Sequence, residues 1–204
     1  MKAFWEERYS EQTYAYGKEP NVYFKQIIET LTPGKILLAA EGEGRNAVFA
    51  ASLGWEVYAY DFSNMAHKKA MQLASEKGVT IHYQIASLSD IEFPKNFFDV
   101  IGLIYVHFPN FIRTQNHQKL AKFLKNDGYF ILEAFSLNHP KYQQKNPSVG
   151  GPKMESQLYT KDYLKKDFKG YSFLTLKEEE IHLAEGNYHN GTTTVMRMVS
   201  KKNC

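Results

Sequence analysis

Cysteine occurs once in the 204 residues, at Cys204, which excludes a disulfide framework and a thiolate metal cluster. Charge of one sign is also lacking. The 25 Lys and Arg against 22 Asp and Glu leave a net charge of +3, short of the clustered excess that marks nucleic-acid surfaces, so a nucleic-acid partner is not indicated. No apolar run approaches the ~20 residues of a membrane-spanning helix. Met1 to Ser10, with Lys2, Glu6, Glu7 and Arg8, lacks the apolar stretch of a signal peptide. The expectation is a cytoplasmic chain without a membrane partner. The seven histidines show neither a helical pair nor ligand spacing, so no metal is expected. Repeats and low-complexity tracts are missing as well. What is present is 43% hydrophobic content, an ordinary supply for the core of one globular domain over 1–204.

Short β-branched or aromatic runs alternate with longer stretches of helical period, the pattern of βαβ units and a parallel sheet. Strands are expected at Lys35–Ala40, Trp55–Asp61, Val79–Gln84, Phe98–Tyr105 and Tyr129–Phe135, several of them nearly continuous apolar runs. Helices are expected over Asn21–Leu31, from a Ser63 cap to Gly78, and over Phe111–Asn126 before Gly128. After a short helix capped by Thr160 come two more strands, Tyr171–Leu183 and Thr192–Ser200. The stretch Ala184–Gly191 between them is too short for a crossover helix, so these two must be antiparallel. The fold class is therefore α/β, a Rossmann-like doubly wound sheet of seven strands, mostly parallel, with a C-terminal antiparallel hairpin. Residues 136–159, with three prolines and two glycines, fit no regular element; a loop of that length in a compact domain is usually functional.

Directly after the first strand stands Glu41-Gly-Glu-Gly-Arg-Asn-Ala47. Gly42 and Gly44 allow a tight turn and close backbone approach to a ligand, and a helix N-terminus follows. Read as Gly-x-Gly-x-x-Ala, with Asp61 close to twenty residues on, the segment also matches a dinucleotide fingerprint. Asp61 would accept ribose hydroxyls under either reading. A pyrophosphate would face Glu41 and Glu43, whereas S-adenosylmethionine brings a sulfonium, an ammonium and one carboxylate, so the two acids favour the cationic cofactor.

The runs ILLAAEGEGRNAVFAA at 36–51 and VYAYDFS at 57–63 resemble the nucleotide-binding core of class I S-adenosylmethionine-dependent methyltransferases. FWEERY at 4–9, YGKEPN at 16–21, HFPNFIR at 107–113 and AEGNYHNGTTTVMRMV at 184–199 are similar to the tellurite-resistance-like branch, the first two as an N-terminal lid and the last as a terminal hairpin. The resemblance implies methyl transfer to a small soft nucleophile, a thiol or a tellurium or selenium oxyanion. It divides the chain into a lid at 1–20, a cofactor core at 21–135, a substrate-side loop at 136–159 and a helix with hairpin at 160–204. Two positions depart from the pattern. Leu38, Ala39 and Ala40 stand where an acid often precedes the turn, leaving Glu41 or backbone carbonyls to hold the methionine ammonium. Ser87 stands where an aspartate often meets the adenine.

In an open parallel sheet the ligand lies outside the carboxyl ends of the strands. That rule and the resemblance together nominate Glu41, Gly42, Gly44, Arg45, Asn46, Asp61, Phe62, Ser87 and Leu88 for the cofactor. Tyr16, with Trp5, Tyr9 and Tyr14, would form an aromatic rim suited to adenine stacking and cation-π contact. If the sixth strand runs parallel to the first five, Glu185, Tyr188 and His189 reach the same crevice. Methyl transfer needs a base only when the acceptor arrives protonated. His107 and His189 are the candidates, with Tyr105 beside them and His139 next in line. Arg113 is read as a helix-surface residue or the partner of an acid. Lys141, Lys145 and Lys153 could attract an anionic acceptor. The competing readings are a nicotinamide-dependent reductase and a non-catalytic S-adenosylmethionine-binding protein.

Overall fold

The computed structural model describes residues 2–204. Helix α1 (Lys2–Ser10) precedes α2 (Val22–Ile28); then come β1 (Lys35–Ala39), α3 (Arg45–Ser52), β2 (Glu56–Asp61), α4 (Asn64–Lys77), β3 (His82–Ile85), β4 (Phe98–Ile104), α5 (Asn110–Phe123) and β5 (Leu124–Phe135). A single turn, α6 (Pro140–Gln143), leads to α7 (Lys161–Asp167), β6 (Tyr171–Glu185) and β7 (His189–Lys202). The seven strands form one sheet in the order β3-β2-β1-β4-β5-β7-β6. The pairs among β1 to β5 are parallel, and β7 runs antiparallel to both β5 and β6. β6 is thus parallel to the first five strands, so the β6–β7 turn emerges at their carboxyl ends. Seven strands in this arrangement are the class I methyltransferase fold. Among the described residues, no helix is long and apolar enough to cross a membrane.

The period of two along the strands divides the core. Leu37, Ile101, Leu103, Phe130, Leu132, Met196 and Met198 face α5 and α7, while Ile36, Leu38, Val57, Ala59, Val100, Ile131 and Val199 face α2, α3 and α4. Local signals set the helix ends. Asn21, Ser63 and Thr160 each accept a backbone N–H from the first turn of the helix they precede, and Gly78 closes α4 with φ +67°.

Several expected boundaries shift. α5 stops at Phe123, because Leu124 already pairs with Phe98 across β4–β5; ladder hydrogen bonds override the helical pattern that extended the helix to Asn126. β3 is only His82–Ile85, since only those residues have a partner on β2. The hairpin strands run longer than expected, 15 and 14 residues. The segment 136–159 contains α6 and two 3-10 turns at 147–149 and 155–157, and a bridge between Ser136 and Tyr159 brings its ends together.

Candidate active site

The turn after β1 depends on left-handed backbone at three positions. Ala40 takes a left-handed φ of +47°, followed by Gly42 at +65° and Gly44 at +85°. Gly42 is held on three sides. Its N–H donates to Asp61 Oδ2 at 3.2 Å and its carbonyl accepts from the Tyr83 hydroxyl at 2.6 Å. A Cβ on it would lie 2.8 Å from the Tyr9 hydroxyl. Asp61, 5% exposed, also accepts from Ser63 N at 2.9 Å; burial raises its pKa from the ordinary carboxylate value. A buried carboxylate at the end of β2 and a turn with glycine at 42 and 44 beside it fit the ribose and backbone contacts of the expected cofactor.

The two acids of the turn do something other than expected. Glu41 Oε1 accepts from Asn46 N at 2.9 Å and Ala47 N at 2.8 Å, so the carboxylate caps α3. Burial pushes its pKa up to about 7. Glu43 pairs with Lys69 Nζ at 2.7 Å and accepts from Ala15 N at 2.7 Å. The free acidic charge invoked against a pyrophosphate is therefore absent. A different obstacle stands in its place: the first N–H groups of α3, which a dinucleotide's phosphates would use, are already satisfied by Glu41.

Arg45 and Asn46 also face inward. Arg45 reaches Glu185 Oε2 at 2.9 Å and the Tyr16 carbonyl at 3.2 Å, and Asn46 Oδ1 accepts from Asn21 N at 2.9 Å. Both side chains fasten the strap of residues 11–21 to the turn and hairpin. On the strap's other side Asn187 N donates to the Ala15 carbonyl at 3.0 Å, and Lys69 donates to the Thr13 carbonyl at 2.7 Å. Trp5 and Tyr9 stack at 5.4 Å between centroids and pack with Ala15, Ala66, Met65 and Tyr188. They form a core under α1, not an open rim. Glu6 caps α4 through Asn64 N and Met65 N, which sets α1 beside Asp61. Phe62 follows Asp61, half-buried. Ser87 donates to Asp90 Oδ2 at 2.6 Å, so an acid lies three residues beyond the position where one was missed; Leu88 is half-buried beside it.

Tyr16 belongs with the other end of the crevice. Its ring lies 4.4 Å from that of His189, and Tyr105 lies 4.4 Å from the same imidazole. Tyr105, at a left-handed φ of +56°, donates to Glu133 Oε1 at 3.0 Å. Burial, then the Glu133 charge, lifts the phenol well above its usual range, so Tyr105 is a neutral donor and not a base. Glu133 is fully buried and accepts from Asn21 Nδ2 at 2.7 Å and Arg197 Nε at 2.6 Å.

The histidines divide sharply. His107 donates from Nδ1 to the Gln157 carbonyl at 2.8 Å, and Nε2 accepts from Phe135 N at 3.4 Å. His139 donates from Nε2 to the Gly150 carbonyl at 3.0 Å, leaving Nδ1 to accept from the Thr193 hydroxyl at 2.6 Å. Burial lowers both to about 4. Both tie the 136–159 segment to the sheet, which corrects the expectation of His107 as a proton acceptor. His189 instead binds Glu185 Oε2 through Nδ1 at 3.2 Å.

Arg113 is buried, not on the helix surface, and its Nε meets Asp167 Oδ2 at 2.7 Å. Asp167 also accepts from Thr114 and His117, joining α5 to α7. Lys141, Lys145 and Lys153 are exposed, as solvated loop charges are. Asn21, Lys69, Glu133 and Arg197 escaped sequence reading. Each meets at least one partner 25 or more positions away, a contact that no local spacing signals.

Residues 36–128 match a family model described as a methyltransferase domain. Comparison with curated proteins finds no match. Among solved structures, one from work on the conversion of a disulfide bond into a thioacetal group during echinomycin biosynthesis superposes with a TM-score of 0.79 at 15% identity, covering 98% of this chain and 89% of that one. TehB from Haemophilus influenzae gives 0.71 at 16% identity, covering 99% and 67%. Magnesium protoporphyrin IX methyltransferase from Synechocystis, solved with bound S-adenosylmethionine, gives 0.63 at 16%, covering 88% and 78%.

Proposed function

We propose that this chain is a class I S-adenosylmethionine-dependent methyltransferase and transfers the cofactor's methyl group to a small-molecule nucleophile, a thiol or a chalcogen oxyanion. The observation that carries the acceptor side is the aromatic cluster at the carboxyl ends of the strands, beside the β6–β7 turn. There Tyr16, Tyr105, Phe135 and His189 set aromatic rings against one another, with centroids 4.4 to 5.3 Å apart, a soft apolar surface suited to a polarizable atom. Two structural neighbours support that choice. One comes from work in which a disulfide becomes a thioacetal, and the other is TehB.

The cofactor, when bound, supplies a methyl group on a sulfonium that is already an activated leaving group. The chain's residues bind, orient and exclude water. Asp61 is assigned to the ribose hydroxyls, and the backbone of Gly42 and Gly44 to close approach. Phe62, Ser87 and Leu88 are assigned to the adenine side, with Asp90 behind Ser87. Arg45, Asn46 and Glu41 act one step back, fixing the turn, the strap and the start of α3. Tyr9, its hydroxyl against Gly42, would cover the bound cofactor.

Calorimetric titration with S-adenosylhomocysteine and NADH tests this reading. Wild-type protein should bind the first with about micromolar affinity and not the second, and Asp61→Ala should weaken binding at least about tenfold, the loss of a charge-assisted hydrogen bond. Binding of NADH alone would sink it.

A further inference from the structure

We propose that Glu185 is a positioning residue that presents His189 as a general base through Nε2, and that the acceptor is therefore a nucleophile that arrives protonated, a thiol, not an already ionised chalcogen oxyanion. The inference rests on the methyl-transfer reading above and chooses between its two acceptor classes.

The tautomer follows from the contact. Ionised Glu185 can only accept, so Nδ1 of His189 carries the proton and the basic lone pair lies on Nε2. Glu185 is itself fixed: Oε2 also accepts from Arg45 Nη2 at 2.9 Å, and Oε1 accepts from Asn21 Nδ2 at 3.0 Å. Burial would raise its pKa, yet the hydrogen bond from His189 and the charge of Arg45 hold it down to about 2. The ring is wedged among Tyr16, Tyr105 and Phe135, and His189 is 4% exposed. A carboxylate-oriented imidazole among aromatic rings is the arrangement of a base held in one tautomer. His107 and His139 lack that freedom, because main-chain groups and a threonine use both nitrogens of each.

The charged and titratable groups around His189 are Glu185 on the hairpin, Arg45 on α3, Arg8 on α1, Tyr16 on the strap, Tyr105 after β4, His107 near it and His139 in the loop. Glu185 favours an imidazolium, while burial and the two arginines oppose it and win, so the pKa lies below the ordinary value. The free ring is thus neutral at pH 7 and ready to accept a proton. A chalcogen oxyanion attacks through a lone pair on the chalcogen atom itself, which bears no proton, and so needs no base.

In the step, the acceptor sulfur forms a bond to the methyl carbon as the carbon–sulfonium bond breaks. That bond's electron pair stays on the cofactor sulfur, which becomes a neutral thioether, and the thiol proton passes to Nε2 of His189. The cofactor's positive charge ends on the imidazolium beside Glu185, and no oxidant or reductant is needed.

The test is kcat/KM at pH 7 with S-adenosylmethionine and thiols of graded acidity, for the full chain and for Glu185→Gln, Glu185→Asp and His189→Gln. Glu185→Gln and His189→Gln should lose about 10- to 100-fold on thiols of pKa above about 9, the usual worth of a general base, and the loss should shrink steadily toward thiols of pKa near 6. Glu185→Asp, which keeps the carboxylate, should recover part of it. S-adenosylhomocysteine affinity should stay within about threefold. An equal loss across the series, or one explained by cofactor affinity, would make Glu185 merely structural and overturn the proposal. So would a wild-type enzyme that methylates selenite or tellurite and no thiol. Wild-type protein that fails to bind S-adenosylhomocysteine would instead overturn the function itself, a different result from either.

Discussion

Glu41 illustrates how one side chain can be spent on the backbone and still shape a site. Its carboxylate satisfies two N–H groups at the start of α3, the position where a helix offers partial positive charge to an anion. The cost is burial, which raises its pKa to about 7 from an ordinary 4.5. A raised carboxyl pKa means that the folded state holds the proton more tightly than the unfolded chain. The contribution to stability is then complete below about pH 4.5 and is lost as pH rises through 7. Glu41→Gln keeps an oxygen to accept both N–H groups and removes the charge. It should leave stability at pH 4 nearly unchanged and raise it at pH 8 by roughly 1–3 kcal/mol. Urea denaturation at the two pH values checks this, and a variant less stable than wild type at pH 8 would contradict it.

The strap of residues 11–21 is the element whose position depends most on others. It has little regular structure and is gripped from the turn by Glu43 and Arg45, from α4 by Lys69, and from the hairpin by Gly186 and Asn187. Gly186 has a left-handed φ of +60°, and a Cβ there would stand 2.4 Å from the Ala15 carbonyl and 2.7 Å from Gly17 N. Gly170 has φ +88° with no atom within 4 Å of its would-be Cβ. Gly170→Ala should therefore cost only backbone strain, about 1–2 kcal/mol. Gly186→Ala should add displacement of the strap, read as faster proteolysis within 11–21 and weaker S-adenosylhomocysteine binding. Equal behaviour of the two variants would mean that the hairpin tip does not hold the strap. The reach of the resemblance at 16–21 into this region was legible from YGKEPN, but the grip was not, because its partners are single residues scattered over α3, α4 and the hairpin.

At the scale of the molecule, the two faces of the sheet share every strand from β1 to β7 except the short β3 and the edge β6, so core and hairpin should melt together. The chain's two tryptophans report separate regions: Trp55 is buried in the α2–α4 face and Trp5 lies in the α1 cluster. In urea, Trp5→Phe and Trp55→Phe variants should show coincident fluorescence transitions that also match the circular dichroism, the mark of one cooperative unit. An earlier transition for the variant retaining Trp5 would make α1 and the strap an independently opening lid.

Several features were fixed locally and could be read without coordinates. The alternation of strand and helix, the caps at Ser63 and Thr160, the turn at 41–47 with Asp61 after β2, and the antiparallel hairpin all follow from rules that act over a few residues. That reading also brought Glu185 and His189 to the crevice, through the direction of β6 alone. Tertiary structure decided what each polar group is used for. It engaged Glu41 with the start of α3 and Glu43 with Lys69, tied His107 and His139 to main-chain and threonine partners, buried Glu133 against Arg197, and paired His189 with Glu185. The reason is physical: backbone conformation answers to neighbours in sequence, whereas the partner, tautomer and pKa of a buried side chain answer to neighbours in space. Those neighbours arrive only when distant segments fold onto one another.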